Sequence, residues 1–254
     1  MVVITYPHFR PSFEPKRLRA EEIWAVGEGA RSQICGATQR PKIDISRMIK
    51  RSRQLRVNGI AFETHWEVGR PVADDAGNPV MGAVEHDESW PEAAMIYLNG
   101  DEIGDRDDLG RSTAAHELGH AVFDTPSWIQ RSRQRSLQFG PNERSPERRF
   151  QPAPANEATA NASGVDWREW RANEFMGAFL APRRLLHRHM HKCALGLGLP
   201  MTEPERADDL PIINGRRAGF DRIETLAIDL AELFGVSIDF IQVRLRKYRL
   251  ISGR

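Results

Sequence analysis

Two histidines flank a glutamate in the run Ser112-Thr113-Ala114-Ala115-His116-Glu117-Leu118-Gly119-His120-Ala121-Val122-Phe123. Leu118, Ala121 and Val122 are apolar, and no proline interrupts the stretch, so it is compatible with a helix. At 3.6 residues per turn His116 and His120 lie one above the other on one face, and both imidazoles can reach a single ion. The same pitch turns Glu117 about 100° from His116, beside an ion rather than on it. A carboxylate there can take a proton from a water that the ion polarises, so the chemistry on offer is metal-assisted hydrolysis. A surface helix with two histidines and a salt-bridging glutamate would read the same way. Chance produces the motif in roughly one chain of this length per hundred, so the neighbouring elements must decide.

A hydrolytic zinc site needs a third protein ligand and an open fourth position. The next helical stretch bearing carboxylates runs from Trp167 to Pro182, where Ala172, Phe175, Met176 and Phe179 fall at i, i+3, i+4 and i+7 and form one buried stripe. Glu169 extends that stripe by one turn. A carboxylate on a buried face is costly unless a cation receives it, which makes Glu169 the candidate ligand. An N-terminal helix-dipole role for Asp166 and Glu169 is the competing reading. Glu174 points off the stripe and is the weaker ligand candidate. Asn173, one turn after Glu169, could accept a hydrogen bond from the free ring nitrogen of a liganding histidine.

With these residues in view, the chain resembles the ImmA/IrrE family of metallopeptidases. The likeness is carried by a short strand ending in Asn99 (Met95-Ile96-Tyr97-Leu98-Asn99), by Arg111 shortly before His-Glu-Leu-Gly-His, and by the Glu-x-x-Ala-Asn-x-Phe helix closed by Pro182. A terminal pattern of Leu226-Ala227, Leu233-Phe234-Gly235-Val236-Ser237 and Val243-Arg244-Leu245 adds to it. The likeness extends from about residue 43 onward, with one large interruption. Phe179-Leu180-Ala181-Pro182 stands where the family more often has Leu-Leu-Met-Pro, and the spacer from His120 to Glu169 is longer than usual. The resemblance implies His116, His120 and Glu169 as zinc ligands, Glu117 as general base, a gluzincin-like fold, and cleavage of a helix-turn-helix repressor in stress response or mobile-element control.

The elements that must position these residues follow from the rest of the chain. Its 254 residues allow one or two domains, and 40% hydrophobic content suffices for a core. Lys plus Arg at 36 against Asp plus Glu at 35 leaves no charge excess that would announce nucleic acid or a membrane. Two cysteines, Cys35 and Cys193, are too few for a disulfide framework and lack metal-site spacing. No run approaches a membrane span and the start is too short for a signal segment, so a cytoplasmic protein is expected.

Residues 1–42 read as a helical extension, with a helix from about Pro15 to Ile34, and a second helix begins at Asp44. Strand-like runs follow at Gln54 to Thr64, Pro79 to His86 and Ala93 to Leu98, separated by turn clusters. The last of these is the candidate sheet edge, where an extended peptide could add as a strand. His65 and His86 near these strands read as surface or hydrogen-bonded residues rather than ligands. From Ser127 to about Val165 apolar periodicity fails while arginines alternate with Ser, Gln and Pro, predicting a flexible basic insertion, a solvated loop or lid over the cleft. His187, His189 and His191 lie among Arg183, Arg184, Arg188 and Lys192, which would repel a second metal. One of them, or Tyr97, is a candidate oxyanion donor.

The stretch from Pro200 to Pro211 reads as a linker, and Asp221 to Tyr248 as two helices around Gly235, with Ser237 as an N-cap. The expected fold is therefore α+β: a small antiparallel or mixed zincin-like sheet on the His-Glu-x-x-His helix and a glutamate-bearing helix in residues 43–199. A helix-turn-helix-like region follows in residues 200–254. The expected function is a zinc endopeptidase acting on a protein substrate. The rival is a DNA-binding regulator or toxin–antitoxin component with a non-catalytic metal site, and direct nucleic-acid binding is the less favoured reading.

Overall fold

The computed structural model describes residues 1–36, 40–87, 89–139, 147–152, 166–203 and 210–253. It divides into one unit of Met1–Ala37 with Asp44–Phe179 and a second of Thr38–Ile43 with Leu180–Arg254.

The first unit runs β1 (Val2–Ile4), α1 (Ala20–Cys35), α2 (Ile45–Ser52), β2 (Gln54–Val57), β3 (Ile60–Val68), β4 (Val80–His86), β5 (Ala93–Leu98), a short α3 (Gly100–Ile103), α4 (Asp107–Phe123), α5 (Thr125–Phe139), β6 (Glu147–Pro152) and α6 (Trp167–Leu180). Its strands form one mixed sheet in the order β1-β2-β3-β5-β4-β6. The run read as a single strand from Gln54 to Thr64 is a hairpin. Asn58 and Gly59 hold φ of 51° and 92°, the positive pair that a two-residue turn needs and that Asn-Gly supplies at little steric cost. In β3 Ile60, Phe62 and Thr64 are buried while Ala61 and Glu63 are exposed, so one face of that strand packs inward.

Two expectations are overturned here. The strand ending at Leu98 is not an edge: β5 lies between β3, its parallel partner, and β4, its antiparallel one. Its composition, Ala-Ala-Met-Ile-Tyr-Leu, with every residue buried or half-buried, suits an interior strand covered on both faces. The segment from Ser127 is also not uniformly irregular. It opens within α5, where Trp128, Ile129 and Ser132 are buried, an anchor too brief to register as periodicity. Further on, β6 pairs antiparallel with β4. The rest of that insertion, residues 140–146 and 153–165, lies outside the described residues, and with it much of the basic-loop and lid reading.

Helix α4 is buried on nearly all sides from Gly110 to Phe123, which a core helix between a sheet and other helices requires. On one side Gly82 of β4 faces it: a Cβ there would stand 2.8 Å from both Glu117 Oε1 and Thr113 Cγ2. On another side Gly119 faces α6, where a Cβ would stand 3.0 Å from Ala172 Cα. The last turn of α4 is tied to the amino-terminal segment, since Tyr6 Oη donates to the Val122 carbonyl at 3.0 Å. That bond satisfies one of the carbonyls a helix end leaves open.

The second unit holds α7 (Arg183–Gly196), β7 (Met201–Thr202), β8 (Ile212–Asn214), α8 (Phe220–Phe234), α9 (Ile238–Lys247) and β9 (Ile251–Ser252). Its short strands form a sheet in the order β7-β8-β9. The stretch read as a linker therefore begins with a strand. Gly235 closes α8 in the left-handed conformation, and Ser237 Oγ accepts from Phe240 N at 3.1 Å as the N-cap of α9. The protein is α+β, and among the described residues no helix is long and apolar enough to cross a membrane.

Candidate metal centre

His116 and His120 stand one turn apart on α4, and α6 brings Glu169 against them. His120 Nε2 lies 3.0 Å from His116 Nε2, Glu169 Oε2 is 3.3 Å from His116 Nε2, and Glu169 Oε1 is 3.1 Å from His120 Nε2. All three donor groups fall within 4.8 Å of one another, and no other such group occurs among the described residues. The close approach at Gly119 and Ala172 makes this possible, because Ala172 is one helical turn beyond Glu169 on α6.

The other nitrogen of each imidazole is already engaged. His120 Nδ1 is 2.8 Å from Asp124 Oδ2, and His116 Nδ1 is 3.2 Å from Asn173 Oδ1. A carboxylate and an amide oxygen can only accept, so each Nδ1 carries the proton and each Nε2 presents a lone pair. Two lone pairs and a carboxylate converging on one point repel each other unless a cation or protons lie between them. Beside them Glu117 is fully buried, and neither of its oxygens has a hydrogen-bond partner. Burial pushes its carboxyl up to about 8, helped by the charge of Glu169 and opposed by that of His120. Among the protein groups alone, His120 is raised to about 10 although burial works against it, because its bonds to Asp124 and Glu169 outweigh burial. Burial also acts against Glu169, yet its bonds to His116 and His120 hold its carboxyl far below the usual range. The orphaned carboxylate and the convergent N, N, O set fit a divalent cation of the zinc kind. The site is closed on the histidine side, and only Glu169, with 29% of its side chain exposed, reaches solvent.

Glu174 is not drawn into this cluster: Trp24 Nε1 donates to its Oε2 at 2.7 Å. Tyr97 is also directed elsewhere. In the β4–β5 register Gly82 pairs with Leu98 and Ala83 with Tyr97. Since Gly82 faces α4, Tyr97 sits on the opposite face of the sheet, where its hydroxyl meets Glu85 Oε2 at 3.4 Å. It cannot serve as the oxyanion donor. His187 donates from Nε2 to the Pro211 carbonyl at 3.2 Å within the second unit. His65 lies against Glu63 and Trp90, and His86 Nδ1 donates to the Ala93 carbonyl.

Three contributors escaped the sequence reading. Asp124 follows His120 by four residues, the same helical spacing that pairs the histidines, and Arg171 approaches its other oxygen at 3.5 Å. Gly82 and Tyr6 carry no local signal, because their relation to α4 is purely tertiary. Asp124→Ala frees the His120 ring and is expected to weaken binding of a divalent metal ion about 10- to 100-fold, measured by competition with a chromophoric chelator. Gly82→Ala drives a methyl into Glu117 and Thr113. It should leave metal binding unchanged while displacing the Glu117 carboxylate; in a hydrolase that used Glu117 as base, that displacement lowers turnover on the order of 10²-fold.

Comparison with known proteins returns no matching family model, no matching curated protein and no matching solved structure. The reading of the centre therefore rests on its own geometry.

Proposed function

We propose that this protein is a zinc-dependent endopeptidase of zincin type, acting in the cytoplasm on a protein substrate. The observation that carries the reading is the convergence of His116, His120 and Glu169 next to a buried, unpartnered Glu117. A purely structural zinc site has no use for a base at that position, which weighs against a non-catalytic metal in a toxin–antitoxin component. His116, His120 and Glu169 would hold the ion. Bound zinc would supply Lewis acidity, polarising a substrate carbonyl and lowering the pKa of a water toward ~7. Glu117 would take one proton from an attacking water as the water oxygen bonds to the carbonyl carbon, and would deliver it to the amide nitrogen as the C–N bond breaks. Asp124 and Asn173 keep both imidazoles in the tautomer that presents Nε2. The resemblance to the ImmA/IrrE family points to a helix-turn-helix transcriptional repressor as substrate.

The DNA-binding reading is weakened by charge. On α8 four exposed carboxylates, Asp221, Glu224, Asp229 and Glu232, outnumber the exposed Arg222, and the start of α9 exposes Ile238 and Asp239 while its exposed basic pair, Arg246 and Lys247, lies at the far end. A helix entering a phosphate-lined groove would place basic groups at those positions. The direct test is to incubate the zinc-loaded full chain with repressors encoded beside it and identify products by mass spectrometry. Cutting at a defined bond, stopped by a chelator and restored by zinc, is the expected result. Cutting that survives the chelator, or that Glu117→Gln performs equally well, overturns the reading.

A further inference from the structure

We propose that β6 is an internal stand-in for substrate: it fills the edge of β4 along which an extended peptide reaches the metal centre, and it leaves before that peptide binds. The assignment rests on the endopeptidase reading.

Strand β4 is the one that touches the chemistry. A Cβ at Gly82 would stand 2.8 Å from Glu117 Oε1 and 2.9 Å from its Cγ, so the backbone of β4 lies directly against the buried base. One edge of β4 is taken by β5. The N–H and C=O groups of the other edge are what an extended peptide pairs with. A peptide paired there runs one strand spacing, about 4.8 Å, from the backbone that meets Glu117.

That edge is occupied by the chain itself. Residues of β6 pair antiparallel along it, with Gln151 opposite Gly82, Phe150 opposite Ala83 and Arg149 opposite Val84. Helix α4, which carries His116, Glu117 and His120, packs against β6 as well as against β4 and β5. The occupant therefore lies over the metal helix and not merely at the rim of the sheet. With it in place the two histidines and Glu117 are buried, and an incoming carbonyl has no path to them along β4.

The attachment of β6 is that of a removable element. It stands last in the strand order, so it is paired on one side only. It comes from the segment between α5 and α6, so no hairpin turn enforces its register with β4. The ladder is also weakest over the base. Its register breaks between Val80 and Gly82, and it ends there at Pro152, which has no N–H to donate. A six-residue edge strand held in this way is within reach of displacement by a competing peptide.

The test uses the zinc-loaded full chain. Arg149→Pro/Phe150→Pro changes two successive residues of β6. Successive N–H groups face opposite edges of a strand, so one donor to β4 is lost whichever way the phase runs. The substrate is a degenerate quenched-fluorescence peptide library, whose initial rate at low concentration reports kcat/KM. If β6 is displaced in roughly one to ten per cent of unaltered molecules, its release should raise that rate about 10- to 100-fold. The gain should shrink as the library approaches saturation. A blocked peptide with the sequence of residues 147–152 should inhibit the proline protein at concentrations about tenfold or more below those needed for the unaltered one. Hydrogen exchange supplies a readout apart from catalysis: the amides of Val80–His86 should exchange faster in the proline protein and regain protection when the peptide is added.

The converse variant pins the strand. Ala83→Cys/Phe150→Cys places thiols at directly opposed positions. Joined by a short bifunctional thiol reagent in a Cys35→Ser/Cys193→Ser background, it should keep its zinc and stop cutting. Should the prolines unfold the sheet, the pinned protein decides alone. An unchanged rate in the folded proline protein, or full cutting by the pinned one, overturns the proposal and leaves the peptidase standing. If no form cuts either the library or the neighbouring repressors, the peptidase reading is what fails, and β6 is judged by exchange. A peptide that does not restore protection to β4 then overturns the proposal as well.

Discussion

The Glu117→Gln protein is expected to bind zinc as the unaltered protein does and to hydrolyse its substrate about 10²- to 10⁴-fold more slowly. Glutamine occupies the same space between Gly82 and α4 but cannot accept the proton that an attacking water must lose. The ligands His116, His120 and Glu169 are untouched, so metal analysis should still find about one zinc per chain. Glu169→Ala should behave in the opposite way and lose the metal. A second signature separates a buried base from an ordinary surface glutamate. In the chelator-treated protein the Glu117 carboxyl titrates near 8, against an ordinary value of 4.5. Between those pH values the folded chain holds a proton that the unfolded chain has released, so stability falls as pH rises through that window. The wild type minus Glu117→Gln difference in unfolding free energy should show this slope, and a flat difference would place Glu117 in water. Should Glu117→Gln lose zinc outright, Glu117 would be a ligand and the assignment of base would fall.

How much of this was legible in the sequence depends on the range of the interaction. His116 and His120 are set by the pitch of one helix, and Glu169 by the mismatch between a carboxylate and a buried stripe, so local rules reach them. Asn173 against the His116 ring follows from the same face of α6. Asp124 obeys an equally local rule, but it follows Phe123, the last apolar residue of the run, and caps α4 outside the periodic pattern. The strand order is different in kind. That β5 is interior depends on β3 pairing with it in parallel, and on β4 and β6 lying beyond it, contacts between segments far apart in the chain. Hydrophobic alternation sets which face of a strand is buried but not which strand is its neighbour. The buried start of α5 was likewise hidden, because Trp128 and Ile129 are its only large apolar members beside the small polar Thr125, Ser127 and Ser132, and arginines follow them.

Gly119 carries the second large effect. A valine there is expected to cost about 3 kcal/mol or more of stability and to lower zinc content together with it. The β-carbon alone would sit 3.0 Å from Ala172 Cα and 3.2 Å from its carbonyl oxygen. These are backbone atoms, which cannot rotate out of the way as a side-chain terminus can. The two γ-methyls of valine would add to the clash, and Phe175 Cδ1 at 3.3 Å closes a further direction of relief. Relief requires α6 to move off α4, and α6 carries both Glu169 and Asn173. The third ligand and the His116 tether would therefore leave together, whereas Asp124, the next residue after α4, would keep its hold on His120. The control is Gly29→Ala in α1, an exposed helical glycine with nothing within 4 Å of its added Cβ, which should stabilise by roughly 1 kcal/mol through helix propensity. Thermal unfolding of the two variants, with metal content measured on each, separates the outcomes. If Gly119→Val folds with unchanged stability and a full complement of zinc, the contact between α4 and α6 does not set the position of Glu169. The origin of the ligand geometry would then have to be sought in the sheet.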